Sequence, residues 1–143
     1  MATDLPVLPL NPEGSQRMLN TVMVIDDSEI DLLFARIVLE RSGVAQQLVL
    51  LESAQAALAL LVGPPALAVD LILLDINMPG MNGFEFLAAY GQQCARPVPV
   101  MMLSSSPDPA DRAQALRHGF VRDYLTKPLA PAMAARLAER LPG

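Results

Sequence analysis

Leu71-Ile72-Leu73-Leu74-Asp75-Ile76-Asn77-Met78-Pro79-Gly80 is the stretch that decides the fold. Four consecutive apolar residues end in one carboxylate, and a Pro-Gly turn signal follows. A half-exposed strand alternates apolar and polar residues, whereas a strand covered on both faces is apolar at every position. The stretch therefore predicts a doubly covered strand over about Leu71–Asp75, with Asp75 carried to the rim of a sheet where a turn begins.

The same form recurs on either side. Val22-Met23-Val24-Ile25 ends in Asp26-Asp27, the run from Val98 to Leu103 ends in Ser104, and Tyr124-Leu125-Thr126 ends in Lys127-Pro128. Three acids, a hydroxyl and a lysine thus fall at the ends of separate strands. That set suits a divalent cation and a phosphoryl group.

Helical patterns separate these runs. Ser28 is a good N-cap with Asp31 three residues on, and Ile30, Leu33, Phe34, Ile37 and Val38 form a helical stripe that Gly43 ends. A strand is predicted over about Gln47–Leu51. Ser53 then caps a helix with a narrow Ala54, Ala57, Leu58, Leu61 stripe, stopped at Gly63-Pro64-Pro65. Further helices are predicted over about Gly83–Tyr90 and Asp108–Arg117, with a strand at Asp123–Thr126. Pro131 opens a last helix to Leu141, with Met133, Leu137 and Leu141 facing inward. Residues 1–19 carry Pro6, Pro9, Pro12 and Gly14 without a period and read as an extended tail, with Met18 a second candidate start. The domain proper is expected over 20–141.

Five strands alternating with five helices predict an α/β fold, a flavodoxin-like doubly wound parallel sheet in the order 2-1-3-4-5. Ligands of such sheets bind beyond the carboxyl ends of the strands, at the point where the strand order reverses. Here that point lies between the strands ending in Asp26-Asp27 and in Asp75.

Composition narrows the classes. The 143 residues allow one domain with a real core, 52% apolar and 17% charged. The net charge is −5 with no basic run, so no nucleic-acid partner is expected. The single Cys94 excludes an internal disulfide and a Cys-based zinc site, and a passive thiol in a loop is expected. No apolar run approaches a membrane span and no signal peptide opens the chain, so a cytoplasmic protein with no membrane partner is expected.

Each residue of the set also has a plain structural role. Asp26-Asp27 before a capped helix is a favourable N-terminal charge, Asp75 a strand-end acid, Ser104 a hydroxyl in the Ser104-Ser105-Ser106-Pro107 turn, and Lys127 a surface lysine. Together they differ. Converging carboxylates raise one another's pKa, and a Mg²⁺ (or Mn²⁺) ion relieves the repulsion with oxygen ligands. The backbone carbonyl of Asn77 is placed to reach the same ion. Lys127 then aims an ammonium at an anion, and Ser104 offers a donor to a phosphoryl oxygen, the parts needed for phosphoryl transfer to a carboxylate.

The segments VMVIDDSE, LILLDINMPGMNGFEF, MMLSSS and DYLTKPL resemble the CheY-like receiver domain of two-component response regulators, over about residues 20–141. The resemblance implies that Asp75 is the phosphoacceptor. Asp26, Asp27, Asp75 and the Asn77 carbonyl would hold the metal, with Asp27 the more direct ligand of the acidic pair. Lys127 would contact the phosphoryl group, and Ser104 and Tyr124 would form the switch. It further implies a cis Lys127–Pro128 bond and a histidine kinase or histidine phosphotransfer protein as donor. A downstream protein would read the face of the fourth helix, fifth strand and fifth helix. The domain would be a monomer or a phosphorylation-dependent homodimer. It would catalyse only its own phosphorylation and dephosphorylation. Because the chain stops near Leu141, a stand-alone regulator is expected.

Two details depart from the common pattern. One extra residue lies between Gly119 and Tyr124, and Phe120 replaces a small residue. Ser105-Ser106-Pro107-Asp108-Pro109-Ala110-Asp111 resembles a subset of stand-alone receivers rather than transcription-factor receivers, and Asn77 and Ser106 flank the expected water path to the phosphoryl group. His118, near the end of the fourth helix, reads as a solvated residue at the negative end of a helix dipole. Of the other functions, an aspartate-nucleophile phosphohydrolase needs an acid two residues after Asp75, where Asn77 cannot transfer protons. A phosphorylation-independent interaction module is the alternative. Neither glycine-rich nucleotide motif occurs.

Overall fold

Apolar strands alternate with helices along the chain, as a computed structural model that describes residues 18–141 shows in detail. The strands are β1 (Leu19–Ile25), β2 (Ala45–Leu51), β3 (Leu71–Leu74), β4 (Val100–Ser104) and β5 (Val121–Thr126). The helices are α1 (Glu29–Ser42), α2 (Ala54–Val62), α3 (Gly83–Gln93), α4 (Pro109–Ala115) and α5 (Pro131–Ala134). Residues 1–17 of the expected tail lie outside the described residues, and Leu19 already belongs to β1.

The five strands form one sheet in the order β2-β1-β3-β4-β5, every pair parallel. Period-two alternation sends the two sets of side chains to opposite faces. Met23, Ile25, Ile72, Leu74 and Met102 pack under Ala57, Leu61, Phe86, Leu87 and Tyr90 of α2 and α3. Val22, Val24, Leu71, Leu73 and Met101 pack under Leu32, Ala35, Val38 and Leu39 of α1 and Ala134 of α5. Leu71 to Leu74 are all fully buried, as a doubly covered strand requires.

The start of α1 is as read: the Ser28 hydroxyl accepts from the Asp31 N–H, and Gly43 closes the helix at φ +68°. Its stripe is not. Of Ile30, Leu33, Phe34, Ile37 and Val38, only Val38 is buried, and Ile30 is 78% exposed. α1 is apolar around much of its circumference, so a second stripe of Leu32, Ala35, Val38 and Leu39 has the same period. The small Ala35 lets that face lie close to the sheet. In α2 the reading holds, with Ala54, Ala57, Leu58 and Leu61 all buried.

The last helix is shorter than predicted. α5 ends at Ala134, and a 3₁₀ turn over Leu137–Arg140 follows. Ala130 supplies no side-chain cap and the first turn no acid, so little favours a longer α-helix. Leu137 is still fully buried, as expected.

The extra residue before Tyr124 is absorbed as a bulge. Val100 pairs with Val121 and Met101 with Asp123, which leaves Arg122 unopposed. Phe120 rests on Gly91, where an added Cβ would stand 3.2 Å from its ring, and meets Tyr90 edge-on at 5.7 Å.

Candidate functional site

The parallel register puts the acids side by side. Ile25 is paired with Leu74, so the next residues, Asp26 and Asp75, stand together just past the ends of β1 and β3. The backbone locks them there: the Asp75 N–H donates to the Ile25 carbonyl at 3.0 Å, and the Asp26 N–H donates to the Leu51 carbonyl at 3.0 Å. One carboxylate oxygen each of Asp26, Asp27 and Asp75 lies within 4.8 Å of the others. Asp26 and Asp75 are buried, and Asp27 is exposed at the mouth. Three hard oxygen donors on one rim fit a divalent cation of the Mg²⁺ or Mn²⁺ type.

Local bonds orient the side chains. Asp26 Oδ1 accepts from the Ser28 N–H at 3.0 Å, and Asp75 Oδ1 accepts from the Ile76 N–H at 2.8 Å. That leaves the Oδ2 atoms for Lys127. Its Nζ is 2.6 Å from Asp26, 2.7 Å from Asp31 and 3.4 Å from Asp75. Lys127 follows β5 directly, and its N–H donates to the Ser104 carbonyl at 2.8 Å. The Lys127–Pro128 bond is cis.

Burial pushes the Asp75 carboxyl above the ordinary carboxylate value, the Asp26 charge pushes it further, and Lys127 opposes both. Burial alone would lower the Lys127 ammonium, but the hydrogen bonds to Asp26 and Asp31 and the Asp75 charge outweigh it, so its pKa is raised.

Ser104 ends β4 fully buried, and its hydroxyl accepts from the Ser106 N–H at 3.2 Å. Tyr124, on β5, is buried with its hydroxyl bonded to the Ser106 carbonyl at 2.8 Å. Asn77 is exposed in the turn after Asp75. His118 lies away from the acids, in the turn after α4, its ring 5.4 Å from that of Phe120. Cys94 is half-buried at the end of α3.

Two site residues escaped the sequence. Asp31 was legible only as a residue of the first turn of α1, yet it holds Lys127. No local signal marks that contact, because Lys127 lies 96 residues further along the chain. Gly83 opens α3 against the loop that follows β3: an added Cβ would stand 2.4 Å from the Asp75 carbonyl oxygen. Any side chain there would force the start of α3 and the backbone of Asp75 and Ile76 to shift apart.

Comparison with known proteins identifies the family. Residues 22–139 match the response regulator receiver domain family. The chain is 32% identical over 121 residues to the two-component response regulator ORR6 of rice, covering 84% of this chain and 69% of that protein. It spans 55% of the length of a second rice regulator, ORR7, at 31% identity. A two-component response regulator of Cytophaga hutchinsonii has a crystal structure with TM-score 0.76, 28% identity and coverage of 87% of this chain and 97% of that one. The Mn²⁺-bound form of the response regulator Rcp1 is similar at TM-score 0.72 and 27% identity, covering 87% and 99%. The chain belongs to the response regulator receiver domain family. Among the described residues, no helix is long and apolar enough to cross a membrane.

Proposed function

We propose that Asp75 accepts a phosphoryl group from a phosphohistidine of a histidine kinase or phosphotransfer protein, or from a small phosphodonor. The observation that carries this is the gathering of Asp26, Asp27 and Asp75 on one rim, with the Lys127 ammonium 3.4 Å from Asp75. An Asp75 carboxylate oxygen attacks phosphorus, the phosphorus–nitrogen bond of the donor breaks, and its electron pair stays with the imidazole. Hydrolysis of the acyl phosphate returns the carboxylate and inorganic phosphate.

Asp26, Asp27, Asp75 and the Asn77 carbonyl would hold the metal. A bound Mg²⁺ or Mn²⁺ supplies positive charge against the phosphoryl oxygens. Lys127 neutralises charge that develops on the same group. Ser104 offers its hydroxyl to a phosphoryl oxygen. Because Ser106 is bonded to both Ser104 and Tyr124, movement of Ser104 reaches the Tyr124 ring and the face of α4, β5 and α5. A downstream protein reads that face. The protein acts as a regulator working through protein contacts, in the cytoplasm, as a monomer or a phosphorylation-dependent dimer.

Incubation with Mg²⁺ and acetyl phosphate, followed by intact-mass spectrometry beside Asp75→Asn, tests the proposal. One adduct of roughly 80 Da on the wild type alone, lost with a chelator, is expected. No adduct on a folded wild type would favour a phosphorylation-independent interaction module.

A further inference from the structure

The three carboxylates around Lys127 are not equivalent. Asp26 and Asp75 stand on the rim of the sheet, whereas Asp31 belongs to the first turn of α1 and has a side chain 43% exposed. An ammonium has three protons to give. The two short contacts of Nζ go to Asp26 at 2.6 Å and Asp31 at 2.7 Å, and the long one, 3.4 Å, goes to Asp75. Asp31 does not cap its own helix, since its N–H donates to the Ser28 hydroxyl while its carboxylate turns to Lys127. Lys127 is therefore drawn toward α1 and away from the acceptor.

We propose that Asp31 is a positioning residue that competes with Asp75, and with the phosphoryl group Asp75 accepts, for the Lys127 ammonium. The inference rests on Asp75 being the acceptor. A phosphoryl group brings up to about two negative charges and three acceptor oxygens. While Asp31 holds Lys127 at 2.7 Å, the ammonium is drawn off that group and part of its charge is already neutralised. The half-exposed Asp31 charge, 2.7 Å from the Lys127 ammonium, also repels an anionic donor. Both effects act in one direction: Asp31 slows loading of the site.

Asp31→Asn keeps the shape and removes the charge. The pair is partly exposed, so screening limits the gain to about three- to tenfold. Glu29→Gln is the control. Glu29 is an exposed acid of the same helical turn, and among the described residues the ion pairs of Lys127 are with Asp26, Asp31 and Asp75.

The test measures initial loading from acetyl phosphate with Mg²⁺ by intact mass, and the half-saturating concentration of beryllofluoride, a phosphoryl mimic. The Lys127 ammonium signal is followed by ¹⁵N NMR, all on the full chain. For Asp31→Asn we expect faster loading and tighter beryllofluoride binding, each about three- to tenfold, and a shifted ammonium signal. For Glu29→Gln we expect changes under about twofold and an unmoved signal. Asp31→Ala serves as the second variant should Asp31→Asn fold poorly. Unchanged or slower loading in Asp31→Asn, or equal gains in both variants, overturns the inference while a labelled wild type leaves the acceptor in place. An unlabelled, folded wild type overturns both.

Discussion

The phenolic hydroxyl of Tyr124 donates a 2.8 Å hydrogen bond to the backbone carbonyl of Ser106. The N–H of the same residue donates to the buried Ser104 hydroxyl at 3.2 Å. One residue of the β4–α4 turn thus joins the end of β4 to the aromatic of β5. Its hydroxyl is bonded as well, to Asp111 at 2.6 Å, so the turn is tied to α4.

Tyr124→Phe keeps the packing and removes the bond. The expected loss is about 1 kcal/mol of stability, read by urea unfolding. Faster hydrogen exchange at the Ser106 amide should accompany it. Unchanged exchange would mean that the tie does not hold the turn.

Asp75→Asn should stabilise the metal-free protein at neutral pH. The folded-state carboxyl titrates above its ordinary value of 3.8, so its ionised form is the one the fold disfavours. The contribution of Asp75 is present below that ordinary value and is lost as pH rises through the raised one. The variant does not titrate, so its advantage should be largest near neutrality and fade on acidification. Denaturant unfolding in chelator across pH checks this, and an advantage that grows toward acid pH would contradict it.

Gly83→Ala drives a methyl group into the Asp75 carbonyl, 2.4 Å away. A cost of about 1–3 kcal/mol is expected, as for other overpacked sites. Loading of Asp75 should slow as well, because the start of α3 and the acceptor loop must part. Thermal unfolding together with the mass assay reads both effects.

Leu33→Ser and Leu39→Ala separate the two stripes of α1. Leu33 is 52% exposed and Leu39 is 1% exposed. Leu33→Ser should stay within about 0.5 kcal/mol of wild type, whereas Leu39→Ala should cost about 2–5 kcal/mol. The reverse order would place the other face of α1 on the sheet.

Much of the site was legible in the chain because strand ends are a local property. A run of apolar residues closing in an acid, in parallel strands, can only deliver that acid to one rim. Asp26, Asp75 and Lys127 are found on that rim, as read. The order of the strands follows from alternation with helices and from the connection rules. The bulge at Arg122 was half legible: the extra residue could be counted, but not how β5 would absorb it.

By itself, the sequence determined which residues end the strands, where the helices begin, and hence which groups share the rim. Those are matters of local pattern and chain direction. Only the tertiary structure decided which of two equally periodic faces of α1 is buried, since that depends on how closely Ala35 and its neighbours approach the sheet. It alone decided that Asp31 meets Lys127, 96 residues away in the chain. Periodicity constrains neighbours one turn apart, whereas a contact between a helix and a distant loop is set by how the layers pack.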